Sequence, residues 1–179
     1  MGDLVIRAAS PGDLLAVLRL HGGLTSDGDS LRAATDLQQR TWARMMRRSD
    51  DLTVYLAEVD HQPVGTATQL LMPHVTYGCA PTSFIEAVVV AHEYRRQGIA
   101  SALIRRLLGD AERAGANKVQ LLSHKRHAND GAHRLYTSLG FEPEAEGFRL
   151  YLQQVPAAVQ AAKAAADPRL VSGSRPSSQ

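Results

Sequence analysis

The sequence predicts an α/β (α+β) domain: a mixed, mostly antiparallel sheet of six or seven strands with about four helices on both faces. Three observations carry this. Segments of strand and helix periodicity follow one another as β-α-α-β-β-β-α-β-α-β-β. Two β-rich runs, Thr53 to Val59 and Val64 to Leu71, are separated only by Asp60-His61-Gln62-Pro63, which makes an antiparallel hairpin the simplest connection. Finally, Phe84 to Ala114 runs from a β-branched strand through a basic glycine turn into an amphipathic helix, and Lys118 to Ser123 follows as a strand. That order calls for a parallel pair with a right-handed crossover.

Taken in order, Leu4 to Arg7 is a short strand. Ser10-Pro11-Gly12-Asp13 then places a hydroxyl at an N-cap, proline at the first helical position and a carboxylate near the first-turn amides. The helix that follows carries Leu14, Leu15, Val17, Leu18 and Leu20 and ends at Gly22-Gly23. A polar loop with Asp27 and Asp29 leads to a second helix expected from about Leu31 to Arg47, with Ala34, Leu37, Trp42 and Met45 or Met46 facing inward. After the hairpin, Met72 to Ser83 reads as an extended loop before the strand Phe84 to Val90. The long helix should stop with Gly115 at C′. Asn129 to Leu139 reads as a shorter helix closed by Gly140, and Phe141 to Ala145 and Phe148 to Leu152 as two short final strands.

The 179 residues are 44% apolar, enough for one domain, taken as residues 1–153. Residues 154–179 form an Ala/Ser/Pro-rich tail without a broad apolar stripe and are expected to be mobile. One cysteine, Cys79, and a beginning that lacks the layout of a signal peptide point to a reducing compartment, with cytoplasm as the default. No run approaches the roughly 18 apolar residues of a membrane span. A net charge of +2 leaves no large footprint for duplex nucleic acid, so neither membrane nor nucleic acid is expected as a partner. Exposed edge strands offer a route to a homodimer without any residue that forces one.

The chemistry concentrates at Arg95-Arg96-Gln97-Gly98-Ile99-Ala100. A strand that turns into a helix directs unpaired amides at one point, and the helix dipole favours an anion there. It is neither a Walker loop nor a three-glycine dinucleotide fingerprint. Glu86 stands in a row Phe84, Glu86, Val88, Val90 that a regular strand would turn to one side. A partly buried carboxylate in an apolar row reads either as a base or as a structural partner of an arginine. Tyr136, beside Leu135 and Leu139, reads by pattern as a core aromatic. His124, His127 and His133 match no standard zinc spacing, so no metal is assigned. Nothing beside Cys79 would lower its pKa, and it reads as loop packing.

Arg95, Gly98 and Ala100 fill the three defined places of [RQ]-x-x-G-x-[GA], and Asn129 to Phe141 gives an asparagine seven residues before a tyrosine and then Gly-Phe. In these motifs, their order and the element order of Leu4 to Leu152, the chain resembles the GCN5-related N-acetyltransferase (GNAT) superfamily. The resemblance implies the GNAT fold, with the sheet splayed at the cofactor site, and acetyl-CoA as cofactor. It implies cofactor-binding roles for Val88, Val89 and Val90 along the pantetheine arm, for Arg95, Arg96, Gln97, Gly98, Ile99, Ala100 and Ser101 about the pyrophosphate, and for Asn129 and Tyr136. It also implies Glu86 and Tyr136 as catalytic residues, the first as base and the second as acid to the leaving thiolate, with the Val88 amide as oxyanion donor. The implied reaction is direct acetyl transfer to the primary amine of a small molecule. Lys125-Arg126-His127 resembles the aminoalkylphosphonate branch and would suit an aminophosphonate or amino acid, whereas Asp27 and Asp29 would suit an aminoglycoside or polyamine. A protein or peptide N-acetyltransferase, or a non-catalytic acyl-CoA sensor of the same fold, are the alternatives.

Overall fold

The structure is a computed structural model and describes residues 2–22, 32–124 and 131–148. The chain divides into Met1–Glu142 and Pro143–Gln179. Of the second unit, residues 143–148 are described and contain no regular element.

In the first unit a five-stranded sheet runs in chain order, β1 Leu4–Ala8, β2 Leu52–Val59, β3 Gln62–Met72, β4 Thr82–Val90 and β5 Lys118–Leu121. The first three pairings are antiparallel and β4 pairs with β5 in parallel. The hairpin between β2 and β3 turns on Asp60 and His61, both at positive φ (49° and 64°), the twist that suits a two-residue connection. The strand count among the described residues is therefore five rather than six or seven. Phe141 to Ala145 contains no strand, and residues 149–152, in the second expected strand, lie outside the described residues, as does the tail.

Helix α1 (Leu14–Gly22) follows a 3-10 turn, Pro11–Asp13, whose N-cap Ser10 forms a capping box with Asp13. Helix α2 (Asp36–Met46) begins later than expected because Thr35 caps it, accepting from the Gln38 amide while Gln38 Oε1 accepts from the Thr35 amide. Leu37, expected inside, is 68% exposed, and Trp42 is the buried anchor, its indole donating to the Pro11 carbonyl at 3.1 Å. Helix α3 (Ile99–Arg113) buries Ile99, Leu103, Ile104, Leu107 and Ala111, one apolar stripe at helical spacing, and Gly115 (φ 67°) ends it as expected. Helix α4 (Ala132–Ser138) lies within the expected Asn129 to Leu139 helix, whose first two residues are outside the described ones.

Two cores follow from strand alternation. Tyr55, Ala57, Val64, Ala67 and Ile85 pack with the α3 stripe, while Val54, Leu56 and Val89 pack with Val17, Leu20 and Trp42. Gly65 on β3 lets α3 sit close. A Cβ there would stand 3.1 Å from the Val89 carbonyl oxygen and 3.3 Å from both Ile99 Cγ2 and Leu103 Cδ1. The edge strand is held by Arg7, which donates to Asp13 at 2.8 and 2.9 Å and to Glu58 at 2.5 Å.

Two outcomes follow. Gly65→Ala should cost about 1–3 kcal/mol by overpacking, read as a lowered midpoint in urea. Hydrogen bonds from Arg7, then from the Ser10 amide and hydroxyl, outweigh desolvation and hold the Asp13 carboxyl well below the usual carboxylate range. Its contribution is present above the unfolded pKa of about 4 and lost as pH falls through the folded value. Asp13→Asn should therefore be less stable than wild type at pH 7, with the gap closing progressively below about pH 4. A gap that widens on acidification would contradict the assignment.

Candidate active site

The site is built where β4 and β5 part. Pairing runs from Thr82 opposite Lys118 to Ile85 opposite Leu121, where β5 ends, and β4 continues to Val90 with β3 as its remaining strand neighbour. Beyond Ile85, among the described residues, one edge of β4 has no strand beside it, an arrangement that suits strand-like pairing with a ligand.

Within this stretch β4 carries a bulge. Thr68 stands opposite Glu86 and Thr66 opposite Val89, so β4 uses one residue more than β3, and Ala87 takes φ 55°. The bulge reverses the strand's facing. Ile85 packs in the α3-side core, yet Val89 packs in the α1–α2 core, and Val88 and Val90 lie against the α3-side core. The expected single row of Phe84, Glu86, Val88 and Val90 is therefore broken. Glu86 alternates with Ile85 toward the α1–α2 side, while Val88 and Val90 face α3. Glu86 is also exposed rather than partly buried.

From Val90 the chain passes through a 3-10 turn, His92–Tyr94, to Arg95, whose Nε donates back to the Val90 carbonyl at 3.2 Å. Gln97 Nε2 likewise donates to the Glu93 carbonyl at 3.0 Å. Arg96 (φ 62°) and Gly98 (φ 83°) are both left-handed, and Gly98 is the N-cap of α3. The first α-helical bond is made by the Ala102 amide to the Gly98 carbonyl at 2.9 Å, so the amides of Ile99, Ala100 and Ser101 precede the helical ladder. A Cβ added at Gly98 would meet no atom within 4 Å, so the mouth of this turn is open. Arg95, Arg96 and Gln97 are exposed around it. Amides, helix dipole and neighbouring guanidinium groups at an open turn fit a pyrophosphate.

Tyr136 lies on α4, half-buried against the α3-side core, with its ring 6.0 Å from Phe141 in an edge-to-face arrangement. The expected neighbours Asn129, Lys125, Arg126 and His127, and the loop aspartates Asp27 and Asp29, lie outside the described residues. Cys79 is exposed, in the loop between β3 and β4. Two features that bear on the site escaped the sequence reading. One is the Ala87 bulge, which leaves no signal in a run of valines. The other is Gly65, visible as a glycine inside a strand, a composition that marks close backbone approach.

Fold and site together define an α/β domain with a turn of free helix-start amides beside the end of a parallel strand pair. Comparison with known proteins agrees. The sequence model of the acetyltransferase (GNAT) family matches residues 24–141. A glucosamine 6-phosphate N-acetyltransferase of Trypanosoma brucei brucei is 31% identical over 154 residues, 84% of this chain and 97% of that protein. Among solved structures, an Agrobacterium tumefaciens str. C58 protein assigned as an acetyltransferase superposes with a TM-score of 0.73 at 31% identity, covering 82% of this chain and 99% of the other. The glucosamine-6-phosphate N-acetyltransferase of Arabidopsis thaliana gives 0.70 at 19% identity over 84% and 99%, a likeness of fold. The chain belongs to the GNAT acetyltransferase family and is an acyltransferase. Among the described residues no helix is long and apolar enough to cross a membrane.

The bulge can be tested directly. A β-branched side chain at positive φ is strained, so Ala87→Val should lose about 1–3 kcal/mol. Ala87→Gly should keep or gain stability in the same denaturation measurement.

Proposed function

We propose that this protein transfers an acetyl group from acetyl-CoA directly to the primary amine of a small phosphorylated or phosphonylated molecule, with an amino-sugar phosphate as the first candidate. The observation that carries the acetyl-CoA half is the parted β4 edge running straight into an open, left-handed Gly98 turn at the start of α3. The relative's action on glucosamine 6-phosphate supports the acceptor half, as does the basic run Lys125-Arg126-His127 in the sequence.

When bound, acetyl-CoA supplies an activated thioester. The amides from Arg96 to Ser101 would hold its pyrophosphate, and the β4 edge from Val88 to Val90 would pair with its pantetheine arm. The Val88 N–H, fixed by the bulge, is the donor offered to a developing oxyanion. Only the free amine is nucleophilic, and the exposed Glu86 carboxylate would take the ammonium proton through water. The Tyr136 hydroxyl would hold the proton that a departing thiolate requires. Asn129 completes the cofactor set by resemblance.

The test is thiol release from acetyl-CoA across a panel of glucosamine 6-phosphate, aminoalkylphosphonates, amino acids, polyamines and aminoglycosides, with a peptide as control. Release with the phosphorylated or phosphonylated amines and little with the peptide is expected; preferred turnover of the peptide would overturn the acceptor assignment. With the best acceptor, Tyr136→Phe should lower kcat by about 10²-fold, the lower end of general acid catalysis. Glu86→Gln should remove the acidic limb of the pH–rate profile. Unchanged turnover in the first variant, or an unchanged limb in the second, would remove that residue from the mechanism.

A further inference from the structure

One carboxamide links both walls of the donor site from behind. Gln69 on β3 is 3% exposed, and its Nε2 donates to Ser83 Oγ on β4 at 2.9 Å and to the Leu107 carbonyl within α3 at 2.8 Å. Ser83 is itself fully buried. A buried amide is costly unless its hydrogen bonds are satisfied, so an apolar residue would be the simpler filling for this position. Two directed bonds to two different elements are what a leucine there could not provide.

The surroundings extend the link. The Tyr55 hydroxyl donates to Asp110 Oδ2 at 2.5 Å and lies 3.5 Å from Gln69 Oε1. Asp110 also accepts from Arg106 Nε at 2.9 Å and from Arg113, and Arg106 reaches the Ile6 carbonyl on β1 at 3.2 Å. Burial first, then the Asp110 hydrogen bond, pushes the Tyr55 phenol up to about 12, so it remains a donor at every working pH. Helix α3 is thereby tied by side chains to β1, β2 and β3, and through Gln69 to Ser83 on β4.

The geometry gives this network a consequence for binding. Near the site, β4 and α3 are joined by the turn 91–98, and α3 leans on Gly65. Leu107 lies eight residues beyond Ile99, about 12 Å along the helix. Ser83 lies five residues before Val88, about 17 Å along the strand. Two rods joined at one end and bonded to a common group near the other have a fixed angle and axial position. With the bond absent, α3 can shift along its axis or pivot about Gly65, and its first-turn amides move relative to the β4 edge.

We infer that Gln69 is a positioning residue for the acyl donor: through Ser83 and Leu107 it sets where the α3 amides stand relative to Val88–Val90, and so tunes coenzyme A affinity without touching the ligand. The inference rests on the acetyl-CoA reading above, and the experiment separates the two. Coenzyme A binding is measured by calorimetry for wild type, Gln69→Met and Ser83→Ala, with Val54→Ala as a destabilised control in the opposite core. Gln69→Met should raise the dissociation constant about tenfold, equivalent to about 1.4 kcal/mol, and Ser83→Ala should raise it severalfold. Val54→Ala should lower the melting temperature yet bind as wild type does. Wild-type affinity in Gln69→Met, or in Ser83→Ala should the first fail to fold, overturns the positioning role, as does equal weakening in Val54→Ala. No binding by wild type overturns the acetyl-CoA reading instead.

Discussion

Strand β4 must pair with β3 along its whole length and yet release β5 after Ile85, and the rest of the structure is arranged around that constraint. A parallel partner that continued beside it would satisfy the edge with protein and leave no site. Because β5 stops at Leu121, the backbone from Glu86 to Val90 has no β5 residue opposite it. The bulge at Ala87 then sets which atoms face which way: it sends Val88 and Val90 toward α3 and leaves Glu86 exposed on the other side. One backbone irregularity thus separates the residue that would handle the acceptor's proton from the residues that would hold the donor.

The second half of the arrangement is the seat of α3. Its amides are useful to a ligand spanning turn and strand only if the helix cannot drift. Apolar packing of Ile99, Leu103, Ile104 and Leu107 is strong but non-directional. Direction comes from the absence of a side chain at Gly65 and from the buried bonds of Gln69. The α1–α2 face, anchored by Trp42, closes the other side of the sheet, and Arg7 ties β1 to the turn before α1 through Asp13.

Much of this was legible in the sequence because it depends on local pattern. The hairpin at Asp60-His61, the stripe of α3, the stop at Gly115 and the parallel return at Lys118 each carry a short-range signal that tertiary contacts did not override. The turn into α3 was legible for the same reason, since a left-handed Gly98 before a helix is a local demand. The bulge was not, because Ala87 is an ordinary strand residue whose conformation is imposed by the β3 register. That single slip put Glu86 in one row with Val88 and Val90, and the apolar row suggested a burial it lacks. Helix α2 was drawn too early because Leu31 and Ala34 continue its apolar pattern, whereas Thr35 with Gln38 sets the start. Phe141 to Ala145 reads as strand by composition, but no strand forms there.

On the proposed reading, the amide-lined turn at Gly98 and the β4 edge beyond Ile85 together form one site for a phosphate-bearing, strand-like ligand. Calorimetric titration of the full chain with coenzyme A and with pantetheine, which keeps the arm and lacks the phosphates, tests it most directly. The account predicts that coenzyme A binds at least about 100-fold more tightly, a difference of about 2.7 kcal/mol, and that the advantage shrinks as salt is raised. Equal affinity for the two compounds, or binding of neither, would contradict it.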